Sequence, residues 1–213
     1  PLVMGILNVT PDSFFDGGRF FERGRALAHA RRMWDDGADL IDIGGESSRP
    51  GASPVTESEE LDRVLPLVET LAGAGYPLAV DTRKPAVMRA TAAAGAAMIN
   101  DIGALAAPGA IEACAQSGVG VCLMHMQREP QTTQAAPVYA DVVADVRAFL
   151  VARAEACVAA SFARERIAID PGFGFGKTLA HNLQLLRSLG AFAATGFPVV
   201  AGLSRKSTLG AIT

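Results

Sequence analysis

No stretch of this sequence approaches the run of about 20 apolar residues that a membrane-spanning helix requires, although half of its 213 residues are hydrophobic. A membrane protein of the helical kind is excluded, and the chain is long enough to bury a sizeable core as a single domain over residues 1–213. Cysteine is scarce. Cys114, Cys122 and Cys157 are odd in number and lack metal-ligand spacing, which excludes a disulfide framework and points to buried thiols in the cytoplasm. Neither sign of charge dominates: a formal charge of -3 argues against nucleic acid or an anionic membrane as the main partner. Residues 1–7 carry no basic lead, long apolar segment or cleavage site, so no targeting signal is visible. Histidine is rarer still. His29 and His181 read as helix-surface residues, and His125, between Met124 and Met126, reads as a pocket wall rather than a metal ligand.

Two nucleotide motifs are missing where they are most expected. The stretch 167–178 reads Ile-Ala-Ile-Asp-Pro-Gly-Phe-Gly-Phe-Gly-Lys-Thr, but a phosphate loop needs four residues between its glycines, and Gly172 and Gly176 enclose three. The dinucleotide fingerprint fails by one residue, because Gly172, Gly174 and Gly176 are spaced Gly-x-Gly-x-Gly. What is present is a β-branched run that delivers Asp170 to a strand's C-terminal tip and breaks at Pro171. With Phe173 and Phe175 on a flexible loop beyond it, this tip suits a flat, hydrogen-bonding ring better than a phosphate.

The same alternation of strand and helix runs along the whole chain. Strands are expected at 2–8, 40–43, 78–81, 97–100, 119–124, 167–170 and 198–203, with helices at 21–36, 138–162 and 179–189 among those between them. Thr56 and Glu59 form a capping box, Pro85 suits a helix's first turn, and Gly37 and Gly95 close helices in a repeated stop-and-strand pattern. Trp34 is expected in the core. Short connections imply parallel strands with right-handed crossovers, in a (β/α)8 TIM barrel or a doubly wound sheet. Polar residues at nearly every strand tip, namely Asn8, Asp42, Asp81, Asn100, His125 and Asp170, favour the barrel mouth. Such barrels take about 250 residues, so a chain that stops at Thr213 is expected to be truncated before the eighth strand.

Three constellations carry chemistry. Ser204-Arg205-Lys206-Ser207 leaves the last strand at a helix N-terminus, where two cations and backbone N–H groups attract an anion. Asp81, Asn100 and Asp170 supply acceptors for a heterocycle with an amino group beside a ring N–H. Asn8, Asp12 and Asp16, with Ser48 and Arg49, lie on or beside two glycine-rich loops long enough to close over a substrate.

The segments Met-Gly-Ile-Leu-Asn-Val-Thr-Pro-Asp-Ser-Phe at 4–14, Gly-Gly-Glu-Ser-Ser-Arg-Pro-Gly at 44–51, Asp-Pro-Gly-Phe-Gly-Phe-Gly-Lys at 170–177 and Ser-Arg-Lys-Ser at 204–207 closely resemble the dihydropteroate synthases. The resemblance runs from end to end. It implies a pterin-binding barrel of folate biosynthesis, inhibited by sulfonamides, that joins 6-hydroxymethyl-7,8-dihydropterin diphosphate to 4-aminobenzoate with Mg2+ and releases pyrophosphate. It places the pterin on Asp81, Asn100, Asp170 and Lys206, with Met124 lining the pocket. Asn8 matches the position near Mg2+ and diphosphate, Phe14 and Asp16 the first loop, and Ser48 and Arg49 the second. Pro50, Phe175, Lys206 and Ser207 match the 4-aminobenzoate pocket. Asp16, Arg49 and Lys206 are the implied catalytic residues, and a homodimer is the implied assembly. A methyltetrahydrofolate:corrinoid methyltransferase would share the acidic pterin residues without needing the 204–207 segment, and a non-catalytic pterin-binding barrel is a third reading.

Overall fold

A computed structural model describes residues 1–10, 19–47, 53–127 and 137–204. The described residues form two compact units. The first holds Pro1–Ser47, Ser53–Asn100 and Ala107–Gly120; the second holds Asp101–Ala106 and the described residues from Val121 onward.

In the first unit β1 (Met4–Asn8), β2 (Leu40–Gly44), β3 (Leu78–Asp81) and β4 (Met98–Asp101, of which Asp101 falls in the second unit) alternate with α1 (Arg19–Asp35), α2 (Glu57–Gly73) and α3 (Pro85–Ala93), and α4 (Ala110–Ala115) follows. The three ladders β1–β2, β2–β3 and β3–β4 are all parallel. That order decides the topology, because a doubly wound sheet would seat β1 between its first neighbour and β3 or β4. Consecutive pairing is barrel connectivity. Ile41, Ile43, Leu78, Val80 and Ile99 are fully buried, as parallel strands covered on both faces require.

Helix ends follow their expected chemistry. Thr56 Oγ1 accepts from the Glu59 N–H at 3.2 Å while a Glu59 carboxylate oxygen accepts from the Thr56 N–H at 2.8 Å, completing the capping box. Pro85 opens α3. After α1 and α3, Gly37 and Gly95 take left-handed backbone at φ +100° and +103°, and the following alanine N–H turns back to the helix at Met33 O and Thr91 O.

The second unit carries β5 (Gly120–Met124, beginning in the first unit) and β6 (Ile167–Asp170), paired in parallel, with α5 (Val142–Ala159), α6 (Leu179–Arg187) and α7 (Leu189–Ala193). Three expectations are corrected here. The helix expected over 138–162 starts only after Asp141, whose carboxylate accepts from the N–H groups of Val143 and Ala144 and so fixes the start. The helix expected over 179–189 divides at Ser188 into α6 and α7. The strand expected over 198–203 amounts to one parallel bridge between Val199 and Ile169, with Ile169 N–H donating to Pro198 O and Val200 N–H to Ile169 O. A fourth correction belongs to the first unit: Trp34 is 37% exposed, its ring edge-on to Tyr76 at 5.3 Å.

Backbone strain is braced where it occurs. Ala104 and Leu105 both have φ of +53°. Asp101 accepts from the N–H groups of Gly103 and Leu105 at 2.6 and 2.8 Å, and Arg153 of α5 donates to the carbonyls of Ala104 and Leu105. No helix among the described residues is long and apolar enough to cross a membrane.

Candidate active site

Strand register sets one polar row in the first unit. Asn8 pairs with Gly44, Gly44 with Asp81, and Asp81 with Asn100, so the expected tip residues of β1, β3 and β4 stand side by side. Gly44 stands within the row: a Cβ on it would lie 3.2 Å from Asn8 Oδ1 and 3.7 Å from Asp81 Cβ, so the two side chains flank its position closely.

Beneath this row is Asp42, a strand-tip residue outside the three expected constellations. It stands two residues before Gly44 and therefore on the same face of β2. The Asn100 amide nitrogen donates to Asp42 Oδ2 at 2.8 Å, which turns the Asn100 amide oxygen away from Asp42. Asp42 is 5% exposed, and its Oδ1 has no hydrogen-bond partner among the described residues. Burial pushes its carboxyl up from 3.8 to about 6, against the smaller lowering effect of the Asn100 hydrogen bond. Between those values the folded state holds a proton that the unfolded chain releases, so stability falls as pH rises through the window from about 4 to about 6. Asp42→Asn is expected to remove that dependence. In urea denaturation the variant should gain about 3 kcal/mol on the wild type between pH 3.5 and pH 7; a constant difference would show that Asp42 ionises normally.

The loop leaving β2 is anchored to its own unit. Lys84 donates to a Glu46 carboxylate oxygen at 2.5 Å and to Glu60, which is fully buried, and Arg63 donates to the Gly45 carbonyl at 2.8 Å. Burial opposes the charge on Lys84, but its hydrogen bonds to Glu46 and Glu60 together outweigh that and raise its pKa. The partners lie 18, 24 and 38 residues apart in sequence, so no local pattern announces them.

The second unit holds a second row. Met124 pairs with Asp170, and the His125 N–H donates to the Asp170 backbone carbonyl at 2.9 Å. Met124 and Asp170 are 4% and 7% exposed. The Asp170 carboxylate accepts from the Gly172 N–H at 2.7 Å, so it both ends the strand and begins the loop. That loop is tied down rather than flexible as expected. Gly174 N–H donates to Asn182 of α6 at 2.9 Å, Phe175 N–H to Gly172 O, and Tyr139 Oη to the Gly176 carbonyl at 2.8 Å. The two phenylalanines also part ways. Phe173 is 1% exposed and belongs to the core, whereas Phe175 is half-buried.

Lys177 is the least expected feature of this unit. It is 4% exposed, and its ammonium donates to Phe175 O at 2.9 Å and His125 O at 3.2 Å, and lies 3.1 Å from His125 Nδ1. Burial first, and the Lys177 charge second, lower the His125 pKa to about 3, so the ring is neutral and Nδ1 accepts. The Gly-Lys pair that imitates a phosphate loop in sequence is here a buried brace.

Asn8, Asp81 and Asn100 are thus brought together in the first unit, and Met124, Asp170 and Phe175 occur in the second. Phe14, Asp16, Ser48, Arg49, Pro50, Lys206 and Ser207 lie outside the described residues. So do Asp12 and Arg205.

The sequence matches the family described as "Pterin binding enzyme" over residues 4–213. It is 50% identical over 213 residues to the dihydropteroate synthase of Haemophilus influenzae, an alignment covering 100% of this chain and 78% of the relative. Among solved structures, the Yersinia pestis dihydropteroate synthase in a sulfonamide drug complex matches with a TM-score of 0.93 at 54% identity, over 100% of this chain and 78% of that one. Xanthomonas albilineans dihydropteroate synthase with 4-aminobenzoic acid matches with a TM-score of 0.92 at 54% identity, over 100% and 76% of the two chains.

Proposed function

The chain belongs to the pterin-binding enzymes, among their dihydropteroate synthases, and from that membership we propose that it joins 6-hydroxymethyl-7,8-dihydropterin diphosphate to 4-aminobenzoate, giving 7,8-dihydropteroate and pyrophosphate. The observation that carries the reading is the extent of the likeness: half the residues are shared over the entire chain with a synthase of that name. The strand-tip chemistry agrees with it. Asp81 and Asn100 end parallel strands of the first unit and Asp170 one of the second, and the resemblance places all three on the pterin, whose amino and ring N–H groups suit such short acceptors. Asp42 orients the Asn100 amide.

The reaction is a displacement at an exocyclic methylene. The C–O bond to diphosphate breaks, the arylamine nitrogen forms the new C–N bond, and the amine loses one proton. A neutral arylamine needs no strong base to become a nucleophile, so stabilisation of the departing diphosphate and of the electron-poor ring carries most of the catalysis. Asp81 and Asp170 favour that ring. Arg49 and Lys206 serve the leaving group, Phe14, Asp16 and Ser48 belong to the loops that exclude water, and Pro50, Phe175, Lys206 and Ser207 form the arylamine pocket, as the resemblance implies.

Mg2+ is part of the proposal. It takes hard oxygen ligands and commonly keeps only one or two from the protein when a diphosphate supplies others. The Asn8 amide oxygen, on an exposed strand end beside Gly44, is such a ligand. When bound, Mg2+ would neutralise charge on the diphosphate. A homodimer and a cytoplasmic setting complete the reading, the latter in keeping with three buried free thiols.

The test is direct. The purified protein, given both substrates and Mg2+, should release pyrophosphate and form dihydropteroate, and should lose activity on chelation. Absence of product, or preferential binding of methyltetrahydrofolate, would overturn the proposal and favour the methyltransferase.

A further inference from the structure

Side chains of Tyr139, Lys177 and Asn182 all hold the backbone of the loop after β6. Two of its consecutive carbonyls, Phe175 O and Gly176 O, are claimed by Lys177 Nζ and Tyr139 Oη at 2.9 and 2.8 Å. The same ammonium reaches the exit of β5 through His125 Nδ1 and His125 O. At Gly172 the two segments approach so closely that a Cβ there would lie 2.0 Å from His125 O. Tyr139 is itself gripped, tilted against the His125 ring at 6.1 Å and edge-on to His181 of α6 at 5.1 Å. A buried ammonium is costly unless its donors are used, and that of Lys177 meets the carbonyls of His125 and Phe175 and the His125 ring nitrogen.

We propose that Lys177 and Tyr139 are positioning residues that fix Phe175 as the wall against which the arylamine, rather than the pterin, is seated. This rests on the assignment of Phe175 to the arylamine pocket in the preceding section. Neither side chain touches a reacting atom. Their effect is on the second substrate: with the carbonyls released, the Phe175 ring samples several positions, and 4-aminobenzoate loses a preformed surface while the acceptors on Asp81, Asn100 and Asp170 are untouched.

The experiment compares wild type with Lys177→Met and Tyr139→Phe. The second variant keeps the ring and removes one hydroxyl, so it remains informative if the first does not fold. Expected are a rise of about tenfold in KM for 4-aminobenzoate in Tyr139→Phe and more in Lys177→Met, with KM for the pterin diphosphate within about twofold of wild type. Hydrogen exchange over residues 172–176 should also accelerate about tenfold in both variants. Equal rises in the two KM values, or a lowered Tm with both KM values unchanged, would assign the pair to fold stability alone and overturn the proposal. Unchanged exchange would overturn it even if wild type itself failed to turn over, a failure that would count against the synthase reading instead.

Discussion

Asp170→Asn is expected to lower kcat/KM for the dihydropterin diphosphate by roughly ten- to a hundredfold, the equivalent of the 1.5–3 kcal/mol that a hydrogen bond to a charged group contributes. The substitution is nearly isosteric, and its amide oxygen can still accept from the Gly172 N–H that Asp170 holds at 2.7 Å. The backbone link from His125 N–H to Asp170 O is unaffected. Loop geometry is therefore conserved while the charge and one acceptor are lost. The loss should appear in pterin affinity, read by calorimetric titration, and not in thermal stability. Wild-type affinity in a folded variant would remove Asp170 from the pterin site.

Gly172→Ala should have the largest effect on stability. Its φ is +70°, and an added Cβ would meet His125 O at 2.0 Å and Met124 Cγ at 3.2 Å. Left-handed backbone costs an alanine about 1–2 kcal/mol, and the overlap with His125 O adds to that, because it is a main-chain oxygen rather than the end of a flexible side chain. A total above about 3 kcal/mol corresponds to a fall in Tm of roughly 6–12 °C for a protein of this size. Gly109→Ala supplies the control. Gly109 has a similar φ of +80° and nothing within 4 Å of the added Cβ, so its cost should stay near the backbone contribution. Scanning calorimetry on the pair separates conformation from collision, and equal Tm values would show that the His125 segment yields freely.

Much of this was legible in the sequence, because the signals are local. The Thr56–Glu59 cap, Pro85 at a first turn and the left-handed stops at Gly37 and Gly95 are each written within four residues. The strand tips Asn8, Asp81, Asn100 and Asp170 were readable for the same reason, since each closes a short apolar run. What escaped depends on partners distant in sequence. Asp42 finds its hydrogen-bond partner in Asn100, Lys84 in Glu46 and Glu60, and Lys177 in His125. Composition suggested mobility for the glycine-rich segment after Asp170, yet Asn182 and Tyr139 from outside it and Lys177 at its end hold its backbone. Trp34 misled for the opposite reason: a large apolar ring does not by itself say which side of a helix faces the sheet.

The ladders have a consequence for how the chain assembles. β1 pairs with β2, β2 with β3, β3 with β4, and β5 with β6, so in every described ladder a strand's partner is the next one along the chain. Parallel pairing ordinarily slows folding because it waits for distant segments to meet. Here each loop closure spans one crossover with its helix and no intervening strand. Within each unit strands can therefore dock one at a time as they leave the ribosome, with β1–β2 the first of the described ladders able to form.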